Sequence, residues 1–268
     1  MRATMKCELL FGLITVSSVN FVLAGDWPQW RGPSRDGQPA AGSPAVSSLP
    51  RELKPVWRLP VGPGFSSPVV ARGKVFFLDE QEGQEVAHCV EAGTAKEVWK
   101  TPVATAAGDE WGTGPRSTPF VDGDRGYFQS MNGEFRCLDL ADGKTKWGVS
   151  FKDYGIGFST KAAEGTAARR GNNGSGIAEG NYVYVPVGAK GASVVCFDKL
   201  TGKLLWEAAL PYSADATPIT YQIDGRQYVT IFASGGKERG GSRGAVYVSF
   251  ALPEKQDPLV KPSRAQRN

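Results

Sequence analysis

The sequence predicts an all-β fold built from four repeats of a four-stranded antiparallel unit. Three observations carry that prediction. Trp57, Trp99, Trp147 and Trp206 recur at spacings of 42, 48 and 59 residues. The last three each close an eleven-residue stretch that begins with cysteine and has an acid two residues later: "CVEAGTAKEVW" at 89–99, "CLDLADGKTKW" at 137–147 and "CFDKLTGKLLW" at 196–206. Long amphipathic helical patterns are absent, while 34 Gly and 18 Pro in 268 residues supply turns for many short strands.

The chain opens with Arg2 and Lys6 ahead of the apolar run "LLFGLITVSSVNFVLA", and Val22 and Ala24 stand at −3 and −1 of a cleavage point after Ala24. Residues 1–24 are therefore expected to be a secretory signal peptide, which makes the mature chain extracytoplasmic, periplasmic or secreted. A retained anchor is the rival reading, but the run falls short of the ~20 residues a spanning helix needs. Cys7 precedes that run and so does not suit a lipoprotein. Residues 25–55 are an extended N-terminal segment, in which Trp27 and Trp30 ("DWPQWRG") either pack onto the repeats or form an exposed aromatic patch. Packing is the favoured reading.

The repeats occupy residues 56–253. Each opens with a Ser/Thr-Pro or equivalent leading a short apolar strand: "SSPVVARGKVFFL" at 66, "STPFVDGDRGYFQ" at 117, "SGIAEGNYVYVPV" at 175 and "ATPITYQIDGRQYVTIF" at 216. A Gly-centred turn (Gly73, Gly123, Gly180, Gly225) then precedes a β-branched and aromatic run, a hairpin signature. The cysteine strand, a turn and the tryptophan strand complete the unit. Four strands in ~45 residues is the period of a propeller blade. A β-sandwich gives no reason to repeat one turn motif. The last unit lacks a tryptophan strand, and the first tryptophan strand, "KPVWRLPV", has no unit of its own. The N-terminal strand is thus expected to complete the last blade and hide its edge. Residues 254–268 form a polar tail with two prolines, expected to be disordered.

The motif Ala/Cys-x-Asp-x-x-Thr/Asp-Gly-Lys-x-x-Trp resembles the repeat of the quinoprotein-type β-propellers named for pyrroloquinoline quinone (PQQ). The first copy departs from it, with Glu91 for Asp and Ala95 for Gly. The opening "GDWPQWRGPSRDG" is similar to the start of secreted PQQ-like propeller proteins, and the stretch from Ala216 to Pro253 is similar to the end of quinoprotein glucose and alcohol dehydrogenases. The resemblance implies one of two functions: PQQ-dependent oxidation of alcohols or sugars with a metal such as calcium at the propeller axis, or non-catalytic scaffolding, as in the outer-membrane assembly propeller lipoprotein. Full-length members usually have about eight blades. At half that number the chain is a compact relative, a truncated and inactive piece of a longer propeller, or half of a homodimeric ring.

Quinone catalysis needs cations for the cofactor carboxylates, a flat stacking platform, oxygen ligands for the metal and a carboxylate base. Candidates stand just before the inner strands: Asp109, Glu110 and Asp215 as catalytic carboxylates, and Trp111, Arg116, Arg169, Arg170, Asn172 and Asn173 as cofactor contacts. No metal ligand set is assigned. The vicinal cysteine pair of many quinoprotein alcohol dehydrogenases and a Cys-x-x-Cys-His haem site are both missing. Polar, Gly-rich loops also occur in any propeller, so binding or scaffolding is the leading reading. A protein partner or small ligand would sit at the axis or on the loop 148–174, the least repeat-like part of the body. The formal charge of +4 includes +1 from Arg2, Lys6 and Glu8 and +2 from the tail, so no nucleic-acid surface is expected. His88, the single histidine, is expected at a surface or strand edge. Trp57, Trp99, Trp147 and Trp206 are expected to pack between blades. Cys89, Cys137 and Cys196 are read as one buried slot used three times rather than as a disulfide or metal framework.

Overall fold

The structure, a computed structural model, describes residues 25–43, 48, 51–109, 111–154, 173–187, 193–212, 216–235 and 244–251. The proposed signal peptide and the C-terminal tail lie outside them. Three four-stranded antiparallel sheets follow one another along the chain. The first comprises β1 (Val69–Ala71), β2 (Lys74–Gln81), β3 (Gln84–Glu91) and β4 (Glu97–Thr105). After a two-stranded ribbon, β5 (Gly108–Asp109) and β6 (Gly112–Thr113), the second comprises β7 (Phe120–Asp122), β8 (Arg125–Gln129), β9 (Glu134–Asp139) and β10 (Thr145–Ser150). The third comprises β11 (Ile177–Glu179), β12 (Tyr182–Val187), β13 (Ser193–Asp198) and β14 (Leu204–Ala209). The fourth has three strands among the described residues: β15 (Ile219–Ile223), β16 (Arg226–Gly235) and β17 (Gly244–Ala251). These sheets are successive propeller blades.

Every blade begins with the same hairpin. Ala71 pairs with Lys74, Asp122 with Arg125, Glu179 with Tyr182 and Ile223 with Arg226, each across a two-residue turn. In the first and last, both turn residues have positive φ (Arg72 53° and Gly73 72°; Asp224 50° and Gly225 78°), the primed turn that matches strand twist. The cysteine strand then pairs with the tryptophan strand in one register. Cys89 faces Trp99, Cys137 faces Trp147 and Cys196 faces Trp206. The three cysteines are buried and free. Burial pushes the Cys89 and Cys196 thiols up to about 12.

One interaction joins the first blade to the second and the second to the third. The Trp99 indole N–H donates to the Leu140 carbonyl at 2.9 Å, and Trp147 donates to the Lys199 carbonyl at 3.0 Å. Both acceptors lie three residues past the cysteine of the following blade. The indole rings lie against the turn glycines, so that a Cβ on Gly143 would fall 2.6 Å from Trp99 and one on Gly202 2.5 Å from Trp147. Both glycines also adopt φ of 71°, so the turn needs glycine for conformation and for space. The acid of the motif shapes the same turn. Asp198 Oδ1 accepts from the Leu200 and Thr201 amides, and Asp139 Oδ1 accepts from the Ala141 amide.

Trp57 makes the same contact, donating to the Ala92 carbonyl at 2.8 Å, three residues past Cys89. It remains 36 % exposed, against 7 % for Trp99 and 8 % for Trp147. Here the glycine position is Ala95, held at a φ of 56°. The expected closure of the last blade by this N-terminal strand is not what the described residues do. Residues 57–65 run along the first blade instead: the Gly62 amide donates to Asp79 Oδ2 at 2.8 Å, the Glu80 amide to the Pro63 carbonyl at 2.8 Å, and the Phe65 amide to the Pro115 carbonyl at 2.8 Å. A blade supplies its outer tryptophan to the next blade's turn, and Trp57 has taken that position on the first blade without a sheet of its own.

Apolar side chains fill the three blade junctions. Phe76, Leu78, Ala87, Cys89 and Trp99 meet Phe128, Leu138 and Leu140 at the first. Phe120, Tyr127, Phe135 and Cys137 meet Val183, Val185, Val195 and Phe197 at the second. At the third, Tyr184, Val194 and Cys196 pack near Val229, Ile231 and Ala233. The expectation for His88 is corrected. It is buried, its Nε2 lies 2.9 Å from Asp79 Oδ1, and its ring stacks on Phe77 at 4.7 Å. A strand-flanking position looked exposed in the sequence, but His88 lies inside β3, and its partner Asp79 also accepts the Gly62 amide.

Gly202→Ala is expected to lower unfolding free energy by about 2–4 kcal/mol, combining left-handed strain with overpacking against Trp147. Ala95→Gly, which relieves the same strain, is expected to raise it by about 0.5–1 kcal/mol. Urea titration distinguishes the two. Native protein should leave Cys89, Cys137 and Cys196 unlabelled by a thiol reagent, and denaturation should release all three; a disulfide among them contradicts this.

Candidate functional site

The first strands of the blades stand side by side, and a relay of hydroxyls links their starts. The Ser67 amide donates to Thr118 Oγ1 at 3.3 Å, and the Thr118 amide donates to Ser175 Oγ at 3.0 Å. These residues hold equivalent positions in three blades, which explains why a Ser or Thr recurs ahead of each inner strand. A hydroxyl there accepts the preceding blade's backbone amide, a donor that would otherwise be left unpaired.

The N-terminal segment lies across these inner strands. Trp27 and Val70 exchange backbone hydrogen bonds of 2.7 and 2.9 Å, the Val121 amide donates to the Pro28 carbonyl at 2.8 Å, and Arg35 reaches the Ala178 carbonyl at 3.5 Å. Val70, Val121 and Ala178 are the central residues of β1, β7 and β11. One segment of ten residues therefore contacts the same position in three successive blades. Trp27 packs against Gly32, while Trp30 is half exposed. Between this segment and the starts of β1 and β7 lies a cavity of about 260 Å³, bordered by Trp27, Gln29, Trp30, Arg31, Ser67 and Thr118.

Beside it, the loop from β5 to β7 brings Asp109, Trp111 and Arg116 together. Arg116 forms a 2.8 Å ion pair with Asp109, donates to the Gly112 carbonyl at 2.9 Å and stacks over Phe65 at 4.1 Å. Asp109 Oδ1 also accepts the Trp111 amide at 2.9 Å, and the Trp111 side chain projects into solvent. Asp109 Oδ2 and Arg116 Nε are buried without hydrogen-bond partners. Asn173 is exposed. Glu110, Arg169, Arg170, Asn172 and Asp215 lie outside the described residues, as does most of the 148–174 loop.

Glu85 is a residue that sequence reasoning missed. It is fully buried where the first blade meets the second, and its carboxyl oxygens accept the Met131 amide at 3.0 and 3.1 Å. Loss of solvent raises its pKa to about 7, against the opposing pull of the Met131 and Ala107 amides and of Arg116. It lies four residues before Cys89 and has no acidic counterpart at Gly133 or Ala192, so no repeat signal marks it.

The described residues bordering this cavity do not fit PQQ and calcium. The side chains bordering the cavity include a single cation, Arg31, and no carboxylate, whereas the cofactor's several carboxylates and its metal require both. Arg116 is already neutralised by Asp109. Among the described residues no three His, Cys, Asp or Glu side chains cluster to hold a metal.

Blades with this register, inter-blade tryptophan and turn define a propeller repeat protein of the PQQ-like class. Residues 46–250 match the profile of the PQQ_2 family, described as outer membrane protein assembly factor BamB, and the chain belongs to that family. It is 41 % identical over 87 residues to quinoprotein glucose dehydrogenase A of Acinetobacter calcoaceticus, a match covering 32 % of this chain and 11 % of the relative. It is 40 % identical over 60 residues to quinoprotein glucose dehydrogenase of Gluconobacter oxydans (strain 621H), covering 22 % and 7 %. The chain thus spans about a tenth of the length of these relatives. The crystal structure of BamB from Moraxella catarrhalis aligns with a TM-score of 0.42 at 15 % identity, covering 60 % of this chain and 46 % of that one. No helix among the described residues is long and apolar enough to cross a membrane.

Because the folded-state pKa of Glu85 lies above its unfolded value, the native protein holds that proton more tightly. The contribution is complete below about pH 4.5 and is lost as pH rises toward 7, by ~3 kcal/mol at one pKa unit per 1.36 kcal/mol. Glu85→Gln, which stays neutral, is expected to flatten the stability profile between pH 4.5 and 7.5 and to be more stable than wild type at pH 8. Urea midpoints across that range measure it.

Proposed function

We propose that this chain acts outside the cytoplasm as a non-catalytic binding or scaffold module. The observation that carries the reading is the N-terminal segment, hydrogen-bonded across the inner strands of three blades where a propeller cofactor would need open space. The neutralised Arg116 and the cavity's lack of a carboxylate argue in the same direction. A protein partner or small ligand would engage the loop end of the blades, where the aromatic faces of Trp30 and Trp111 are exposed. Such faces suit partner recognition because they bury large area at low conformational cost.

The similarity to quinoprotein dehydrogenases sets the competing reading, and a titration separates the two. Purified protein is titrated with PQQ and calcium while tryptophan fluorescence and dye-coupled oxidation of alcohols and sugars are followed. Neither saturable quenching nor turnover is expected. Saturable quenching accompanied by turnover overturns the proposal.

A further inference from the structure

Among the described residues, the two ends of the blade array are complementary and both are open. On the first three blades, the face turned toward the following blade is closed: Val69, Phe120 and Ile177 on the inner strands are 0–3 % exposed, as are their partners Phe76, Tyr127 and Tyr184. The hairpin register gives the matching pair on the fourth blade as Tyr221 and Tyr228. There Tyr221 is 37 % exposed, Ile219 and Ile223 flank it at 53 % and 51 %, and Tyr247 on β17 is 75 % exposed. Tyr221 stacks on Tyr228 at 5.3 Å and Phe232 meets Tyr247 at 5.0 Å, so this face is a formed apolar and aromatic surface. Its reverse side, with Val229, Ile231 and Ala233, is the one buried against the third blade.

At the other end, the stretch "VWRLPV" at 56–61 repeats the pattern of "VWKTPV" at 98–103 within β4. Its tryptophan is already seated on the first blade's turn, yet Val56 and Val61 are exposed. Among the described residues it is an outer strand without a sheet, and β15–β16–β17 is a sheet without an outer strand. A bare edge of this kind is a template for strand addition. The described ends do not meet within one chain, and the described residues leave one end of each kind.

We propose that the fourth-blade face and the β17 edge are occupied by residues 56–61 and the first blade of a second copy of this chain. Two such head-to-tail contacts close a dimeric ring, the heterologous association in which one interface is used repeatedly. The register follows from the blades within the chain. Cys89 faces Trp99 and Ala87 faces Thr101, so Ala251 of one copy faces Trp57 of the other, and Ser249 faces Leu59.

The experiment uses the full chain on a Cys7→Ser background, where the remaining native cysteines are buried. Light scattering is expected to give twice the monomer mass, and Tyr247→Lys with Phe232→Ser, both on the open face, is expected to give monomer with an unchanged far-UV spectrum. Mixing the Ser249→Cys and Leu59→Cys single variants under mild oxidation is expected to yield a covalent dimer. The double variant is expected to link chains rather than to close within one. A monomer mass, or an internal disulfide in the double variant without linked chains, overturns the proposal. Mass that grows with concentration beyond two copies also overturns it, because the contact would then make a filament rather than a ring.

Discussion

The contact on which the structure depends is an indole seated on a glycine. At the first two junctions, a tryptophan from one blade's outer strand lies against the turn glycine of the next and donates to a carbonyl three residues past that blade's cysteine. Sheets stacked face to face through aliphatic contacts alone could slide, since dispersion has little directional preference. A directional N–H···O bond, made in a site too tight for a Cβ, fixes the register of one blade on the next. The Asp of the motif holds the turn from inside, and the cysteine lies directly opposite the tryptophan as a small buried side chain. Four recurring features of the repeat therefore serve one joint.

Much of this was legible in the sequence because the joint is local in the repeat. Cysteine, acid, glycine and tryptophan fall within eleven residues, and the departures in the first copy coincide with the most exposed of the three indole contacts. The strand order inside each blade followed from the hairpin turns. What the sequence did not disclose were contacts between distant segments. Trp27 and Pro28 pair with β1 and β7 through main-chain groups, which leave no residue signature. His88 looked like an edge residue because its partner Asp79, and the Gly62 amide that Asp79 also accepts, are joined to it only in space. Glu85 has no counterpart in the other blades, so a reading based on repeats passes over it. The candidate loop residues were divided: Asp109, Trp111 and Arg116 share one loop, where Asp109 and Arg116 pair with each other.

The repeat logic also explains why the array's ends carry exposed apolar faces. Each blade is made of two dissimilar faces, one complementary to the next blade and one to the preceding blade, so a linear array always leaves one of each. The N-terminal segment meets part of the need at the first blade by placing Trp57 on its turn. Nothing described performs that role at the fourth. In the proposed ring, function and assembly would be coupled, because the inner strands that residues 26–35 bridge are the ones the ring would bring around a common axis.

The central claim, that the indole joint couples neighbouring blades, is tested most directly by native-state hydrogen exchange on Trp147→Phe. This variant keeps an aromatic ring but loses the N–H that meets the Lys199 carbonyl. If the joint couples blades, protection falls together in β8–β10 and in β11–β14, by a similar free energy on both sides, with β1–β4 less affected. Loss of protection confined to β10 and its immediate neighbours would contradict the account, because the tryptophan would then be packing only within its own blade.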